Sequence, residues 1–184
     1  MESITDEKVW IFSGIPASGK TTTAKEFAKK FPKAALISRD DLQDQIVSGN
    51  VRPNALPKEE ACLQTDMNIR NQCALAQSYL QHGFIPICDD VVGENQLAIY
   101  KELLKNNQIH LVTLNPHLDL AKKRDKQRNN ESRFYFQESQ IKRGELLQNL
   151  VLTVSNQGLW IDNSTISVEE TVDYILKNVE KCIV

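Results

Sequence analysis

Short apolar runs that alternate with longer helical stretches constrain the fold of this chain more than any other feature. Each run is almost continuously apolar, which is typical of strands covered on both faces. Strands separated by helices predict a parallel sheet with helices on both faces, an α/β fold. The five candidate strands are Lys8–Ser13, Ala34–Ser38, Phe84–Cys88, Ile109–Leu114 and Leu159–Asp162.

The stretches between the strands carry helix signals. The pattern predicts helices over Lys20–Phe31 and Lys58–Gln81. A further helix is predicted to run to Arg128, with Asn115 as its cap. Ser167–Glu170 matches a capping box, and the apolar stripe that follows it is expected to pack against the sheet.

Length and composition limit the classes of protein to consider. The chain has 184 residues, of which 41% are hydrophobic, so we expect one domain over residues 1–184 with a full core. The net charge of −2 gives no basic field for duplex nucleic acid or an anionic membrane. We expect no membrane span and no secretory signal. The four scattered cysteines indicate reduced thiols and a cytoplasmic protein.

A glycine loop follows the first candidate strand and precedes a predicted helix. Gly14–Thr21 matches G-x-x-x-x-G-K-[ST], the Walker A pattern of a P-loop. Its backbone N–H groups and the helix N-terminus would hold phosphate oxygens. Lys20 would reach the β and γ phosphates, and the Thr21 hydroxyl would bind Mg²⁺. The predicted nucleotide-binding residues are Gly14, Ile15, Pro16, Ala17, Ser18, Gly19, Lys20, Thr21 and Thr22.

Two carboxylates, Asp40 and Asp41, directly follow the second candidate strand. The carboxyl ends of parallel strands line the ligand crevice, so both residues should lie near the P-loop. Asp40 could then accept the proton of a hydroxyl that attacks the γ-phosphate. The alternative is that Asp40 caps the next helix. We assign Asp41 to orientation or to the water shell of the metal.

Asp89 and Asp90 place a second carboxylate pair at the end of the third candidate strand. Either one could bind Mg²⁺ through water or contact the substrate. Asp90–Gly93 also matches D-x-x-G, a pattern by which GTPases sense the γ-phosphate, so a nucleotide switch is an alternative function. The guanine-reading N-K-x-D pattern is absent, because Asn115–Asp119 lacks the lysine.

The runs GIPASGKTT and SRDDLQDQI, with a later arginine-bearing segment, resemble the small P-loop kinases. That group includes chloramphenicol phosphotransferase, gluconate and shikimate kinases, and 5′-hydroxyl polynucleotide kinases. The run QHGFIPICDDVVG resembles the third-strand segment of chloramphenicol phosphotransferase. The resemblance implies a three-layer P-loop NTPase fold with strand order 2-3-1-4-5 and a lid. It also implies ATP and Mg²⁺ as ligands, and Asp40 as the catalytic base.

A basic segment over residues 120–135 supplies the arginines of the expected lid, approximately residues 124–140. Arg124 and Arg128 lie four residues apart and therefore on one helical face. The resemblance implies that they stabilise charge on the transferring phosphoryl group, with Arg124 also binding the nucleotide and Arg133 a third candidate. A solvated basic helix face is the alternative.

These features together predict a kinase that moves the γ-phosphoryl of ATP to a hydroxyl of a small molecule. The polynucleotide kinases continue R-D-D-x-R, and their last arginine holds a substrate phosphate. Gln43 takes that place here, and a neutral amide cannot replace a guanidinium on a phosphate. The sequence therefore favours a small hydroxylated acceptor over the alternative, a 5′-hydroxyl polynucleotide or nucleoside kinase.

Overall fold

The computed structural model describes residues 8–53, 55–127 and 141–184. Its sheet is parallel and has the strand order β2-β3-β1-β4-β5, which confirms the expected α/β fold and topology. Each observed strand agrees with its predicted range to within one residue at either end. The strands are β1 Lys8–Gly14, β2 Ala34–Ser38, β3 Ile85–Asp89, β4 Gln108–Leu114 and β5 Leu159–Ile161.

Seven α-helices connect and follow the strands within the described ranges. A short 3-10 helix at Val179–Cys182 comes near the end of the chain. No helix in these ranges is long and apolar enough to cross a membrane. The α-helices are α1 Lys20–Ala28, α2 Arg39–Asp44, α3 Lys58–Gln81, α4 Glu94–Leu103, α5 Leu118–Lys126, α6 Ile141–Leu152 and α7 Val168–Lys177.

The predicted start of α5 is wrong. Its cap is His117 rather than Asn115, and the helix begins at Leu118. The backbone N–H of Asn115 donates to the carbonyl of Ile161 at 2.9 Å, so Asn115 still belongs to the hydrogen-bonded edge between β4 and β5. Pairing with the neighbouring strand therefore delays the helix beyond the residue that its local sequence favours.

The capping box at the start of α7 is confirmed. Ser167 Oγ accepts from the backbone N–H of Glu170 at 3.1 Å, and the Glu170 carboxylate accepts from the N–H of Ser167 at 2.7 Å. Val172 and Ile175 of the predicted stripe are buried, whereas Leu176 is 36% exposed.

The core lies on both faces of the sheet because successive residues of β1 point in opposite directions. Val9 and Ile11 belong to one buried cluster, which also contains residues of α3 and α4. Trp10 and Phe12 belong to another, with residues of α1 and α7. This three-layer packing leaves the carboxyl edge of the strands as the place where the loops meet.

Candidate active site

The P-loop turns sharply between β1 and α1, and its backbone conformation leaves no room for a side chain at Gly14. Gly14 has φ +147°, and a Cβ there would lie 2.4 Å from the carbonyl oxygen of Leu114 and 2.6 Å from Ser18 Oγ. Ala17 adopts the left-handed region with φ 61°. A backbone of this kind can direct successive N–H groups toward an anion.

The N-terminus of α1 is suited to a phosphate. Gly19 is the cap and provides no side-chain hydrogen bond to the first turn, which leaves those N–H groups for a ligand. Lys20 and Thr21, the first helical residues, are half-buried, and Thr22 is exposed. The predicted phosphate-binding residues are therefore brought together in one loop and one helix end.

Asn163, which was not predicted from the sequence, forms a hydrogen bond to the P-loop. Its Nδ2 donates to the carbonyl of Ser18 at 2.8 Å, and its side chain is buried. Arg124 Nη1 lies 3.5 Å from the same carbonyl oxygen. Asn163 comes two residues after the end of β5, so the rule that strand ends line the crevice could have identified it.

The carboxylate of Asp89 faces the P-loop. Thr21 Oγ1 donates to Asp89 Oδ2 at 2.5 Å, while Asp89 Oδ1 is buried and has no hydrogen-bond partner among the described residues. Burial raises the pKa of Asp89; the charge of Lys20 and the Thr21 hydrogen bond oppose this shift, and the charge of Asp40 adds to it. Lys20, Thr21 and Asp40 thus each lie within electrostatic reach of Asp89.

The Thr21–Asp89 pair fits a Mg²⁺ ion that also binds substrate phosphates. A buried carboxylate oxygen without a partner, beside a threonine hydroxyl, supplies the oxygen ligands that Mg²⁺ prefers. The described residues contain no cluster of three or more histidine, cysteine or acidic side chains that could hold a metal ion.

Asp90, the neighbour of Asp89, has a different environment. It is buried in an ion pair with Arg39 Nε, and it accepts from Tyr100 Oη at 3.2 Å and from the backbone N–H of Val91 at 2.6 Å. Burial lowers the pKa of Arg39, but the charge of the Asp90 carboxylate beside it raises this pKa, and the net shift is upward. This pair joins the end of β3 to the start of α2.

Asp40 is not the cap of α2, so that alternative is wrong. Ser38 is the cap, and its Oγ accepts from the backbone N–H of Asp41 at 3.3 Å. Asp40 is half-buried, whereas Asp41 is exposed. Asp40 therefore does not cap α2, and its charge acts on the carboxylate of Asp89.

Gln43 points into the protein interior. Its Nε2 donates to Gln64 Oε1 at 3.0 Å and to Asn50 Oδ1 at 2.9 Å, and its Oε1 accepts from Asn68 Nδ2 at 2.9 Å. The side chain is 2% exposed. Gln43 thus ties α2 to α3 and to the loop that contains Asn50.

A cavity of about 630 Å³ lies between α3, α4 and α6. Arg39 and Val91, which adjoin Asp40 and Asp90 in the chain, contribute to its wall. Pro53 and Ala55, which lie between α2 and α3 in the chain, also line it. Arg39 directly follows β2, so the cavity wall reaches the carboxyl edge of the sheet.

Only the first arginine of the expected lid can be placed. Arg124, on α5, lies beside the P-loop. Arg128 and Arg133, with residues 128–140 of the lid, fall outside the described residues.

Comparisons with known proteins agree with this geometry. A family model described as an AAA domain matches residues 9–147. A search of the curated proteins finds no significant match.

Among solved structures, the chain is similar to a sugar kinase from Janibacter sp. HTCC2649, with 14% identity, 95% of each chain covered and a TM-score of 0.63. It is also similar to APS kinase of Mycobacterium tuberculosis in complex with AMPPNP and APS, with 15% identity over 95% of this chain and 97% of that chain, at a TM-score of 0.63. Thymidylate kinase from Candida albicans gives 14% identity over 95% of this chain and 91% of that chain, at a TM-score of 0.62.

At these identities the three structures show a shared fold, which is the fold that the sequence resemblance implied. The family model spans most of the chain, from the start of β1 into α6, and includes the P-loop and both carboxylate pairs. The chain therefore belongs to the AAA domain family and has the fold of the small P-loop kinases.

Proposed function

We propose that this protein is an ATP-dependent kinase, a transferase that moves the γ-phosphoryl of ATP to an alcohol group of a small molecule. One observation carries the proposal: the ends of three neighbouring strands bring together the P-loop, the Thr21–Asp89 pair and Asp40, whose charge acts on Asp89, and Arg39 beside Asp40 lines a cavity. A phosphate site, a carboxylate and a space for a second substrate thus meet at one edge of the sheet.

The residues divide the reaction between them. The P-loop N–H groups and Lys20 hold the β and γ phosphates, and Asp40 accepts the proton of the acceptor hydroxyl. The acceptor oxygen forms a bond to the γ-phosphorus while the bond from that phosphorus to the β–γ bridging oxygen breaks. The products are a phosphate ester and ADP, and the proton remains on Asp40 until solvent removes it.

Thr21 and Asp89 would hold Mg²⁺, with Asp41 left for its water shell. The ion supplies positive charge that offsets the charge of the phosphates. Asp90 is assigned to structure instead, because Arg39, Tyr100 and a backbone N–H occupy its carboxylate.

In this proposal, Arg124 stabilises the phosphoryl group in transfer. It already lies beside the P-loop, at 3.5 Å from the carbonyl oxygen of Ser18. A guanidinium there meets negative charge that spreads over the phosphoryl oxygens in the transition state. Arg128, on the same predicted helical face, would act with it.

A 5′-hydroxyl nucleic-acid kinase has less support. The side chain that replaces the phosphate-holding arginine, Gln43, is buried in a network of amides and does not reach a substrate. A nucleotide switch also has less support, because the D-x-x-G residues are held in place by the Asp90–Arg39 pair and by a hydrogen bond from Gly93 N–H to Gln96.

The proposal is tested by an ATP-consumption screen with sugars, sugar acids, nucleosides and alcohol-bearing antibiotics, followed by mass spectrometry of the product. We expect ATP turnover that depends on one class of alcohol and yields its phosphate ester. ATP turnover that is equal with and without every alcohol would contradict the proposal.

A further inference from the structure

The cavity beside Asp40 is large enough for a drug-sized ligand. Its volume of about 630 Å³ falls within the usual range of small-molecule sites, roughly 300–1,000 Å³. It is bounded by the first half of α3, by α4 and by α6, with Arg39 and Val91 at the carboxyl edge of the sheet.

Most of the cavity wall is apolar. Ile69 and Val91 contribute buried surface, and Ile99, Leu147 and Leu150 contribute from α4 and α6. Leu146 also lines the cavity and is 59% exposed. An apolar ligand gains about 25 cal/mol for each Å² of such surface that it removes from water.

The charged groups of the wall are already balanced. Arg39 forms its ion pair with Asp90, and Asp66 accepts from Arg70 Nε at 2.9 Å. Lys58 is exposed in the first turn of α3, next to two glutamates. Lys58 is thus the exposed cation of the described wall, and the buried part of that wall supplies no uncompensated cation. An anion placed against that buried part would lose its hydration without a matching charge.

We infer that the acceptor is an uncharged alcohol with a largely apolar body, rather than a sugar, a sugar acid or a phosphate-bearing nucleotide. The role of this ligand as phosphoryl acceptor rests on the proposed function, whereas its chemical class follows from the cavity alone. The few polar groups of the wall, such as Thr65 and Asn95, would orient the ligand. Its hydroxyl would lie at the Arg39 end, beside Asp40.

Cys62 provides a reporter of cavity occupancy that needs no ATP. It lines the cavity and is exposed, whereas the other three cysteines are buried. Burial raises the pKa of Cys73 and of Cys182 to about 12, and raises that of Cys88 well above its usual value. A thiol reagent should therefore label Cys62 alone in the folded protein.

The experiment measures the rate of Cys62 labelling by a maleimide in the full chain without ATP, at rising concentrations of four probes. These are 2-(2-naphthyl)ethanol, its carboxylate counterpart 2-naphthylacetate, glucose and gluconate. We expect saturable protection by naphthylethanol, at least about tenfold weaker protection by naphthylacetate, and none by the two polar compounds.

Two variants of α6 test whether the protection of Cys62 depends on the apolar wall of the cavity. Leu146→Gln should weaken naphthylethanol protection about threefold to tenfold, because it removes apolar surface from the wall. Leu152→Gln is the matched control: Leu152 is 44% exposed on the same helix and does not contribute to the cavity wall. In Leu152→Gln, naphthylethanol should protect Cys62 as well as it does in wild type. Both leucines are exposed enough for the variants to fold.

The outcomes separate this inference from the proposed function. Equal or stronger protection by glucose, gluconate or naphthylacetate would overturn the ligand class, and so would no protection by any probe. Protection with the expected ranking supports the ligand class even if the ATP screen finds no transfer. A failed ATP screen would overturn only the proposed kinase activity.

Discussion

The two sides of the crevice are built in different ways. The phosphate side, residues 14–22 with Asp89 and Asn163, positions backbone groups by local conformation and a few side-chain contacts. The side that we propose for the acceptor is the cavity between α3, α4 and α6, and it is lined by side chains that come from distant parts of the chain.

The two sides also differ in how far a short sequence motif can specify them. A phosphate needs N–H groups and a cation in one fixed arrangement, so a short motif is enough to specify it. An acceptor is selected by the shape and polarity of a cavity, which no short motif encodes.

The largest effect is expected on the phosphate side. Lys20→Ala should reduce turnover below detection, because the P-loop then loses its cation on the β and γ phosphates. Lys25→Ala, an exposed lysine on the same helix, is the control and should retain normal turnover. Near-normal turnover in a folded Lys20→Ala protein would remove the P-loop from the mechanism.

Asp40 lies where the two sides meet. Asp40→Asn should lower the rate constant for transfer by about 10²–10⁴-fold, because an amide cannot accept the proton of the acceptor. ATP affinity and melting temperature should stay near wild type, since Ser38 and not Asp40 caps α2. The exposed neighbour provides the matched control, and Asp41→Asn should cost less. Full turnover in Asp40→Asn would show that Asp40 is not the base.

Substitution of Asp89 should affect activity, whereas substitution of Asp90 should affect stability. Asp90→Asn leaves Arg39 buried without its partner and should lower the free energy of unfolding by about 3–5 kcal/mol, measured by urea titration. Asp89→Asn should leave stability unchanged or higher, because the burial of this carboxylate is unfavourable. It should instead raise the Mg²⁺ concentration for half-maximal turnover about 10–100-fold. The reverse pattern would exchange the two assignments.

The smallest effect is expected at Asn163. Asn163→Ala removes the hydrogen bond to the Ser18 carbonyl and should weaken ATP affinity by about 1 kcal/mol, or roughly fivefold. The affinity of a cavity ligand should not change, because Asn163 does not line the cavity. Isothermal titration with ATP and the labelling assay measure the two affinities separately. An equal loss of both would mean that the two sides are coupled.

The strand, the glycine turn and the helix around the phosphate-binding motif were predictable for a physical reason. The positive φ of Gly14 and the helix that begins at Lys20 are local backbone features, and local geometry follows from neighbouring residues. The strands and their parallel arrangement were also predictable, because continuous apolar runs separated by helices have few other solutions.

Tertiary contacts account for what the sequence could not predict. Asp89 and Asp90 are adjacent and chemically identical, and only the placement of Thr21 and Arg39 distinguishes them. The contact between Asn163 and the P-loop joins residues 145 positions apart. The start of α5 depended on a strand pair that local propensity does not include.

The most direct test of the central claim follows the terminal phosphoryl group itself. ATP labelled with an isotope in the γ-phosphoryl is incubated with the protein and an active alcohol, and mass spectrometry locates the label. We predict that it appears in a phosphate ester of the alcohol, with wild type and not with Lys20→Ala or Asp40→Asn at matched times. Label found only in inorganic phosphate, at a rate that the alcohol does not change, would contradict phosphoryl transfer.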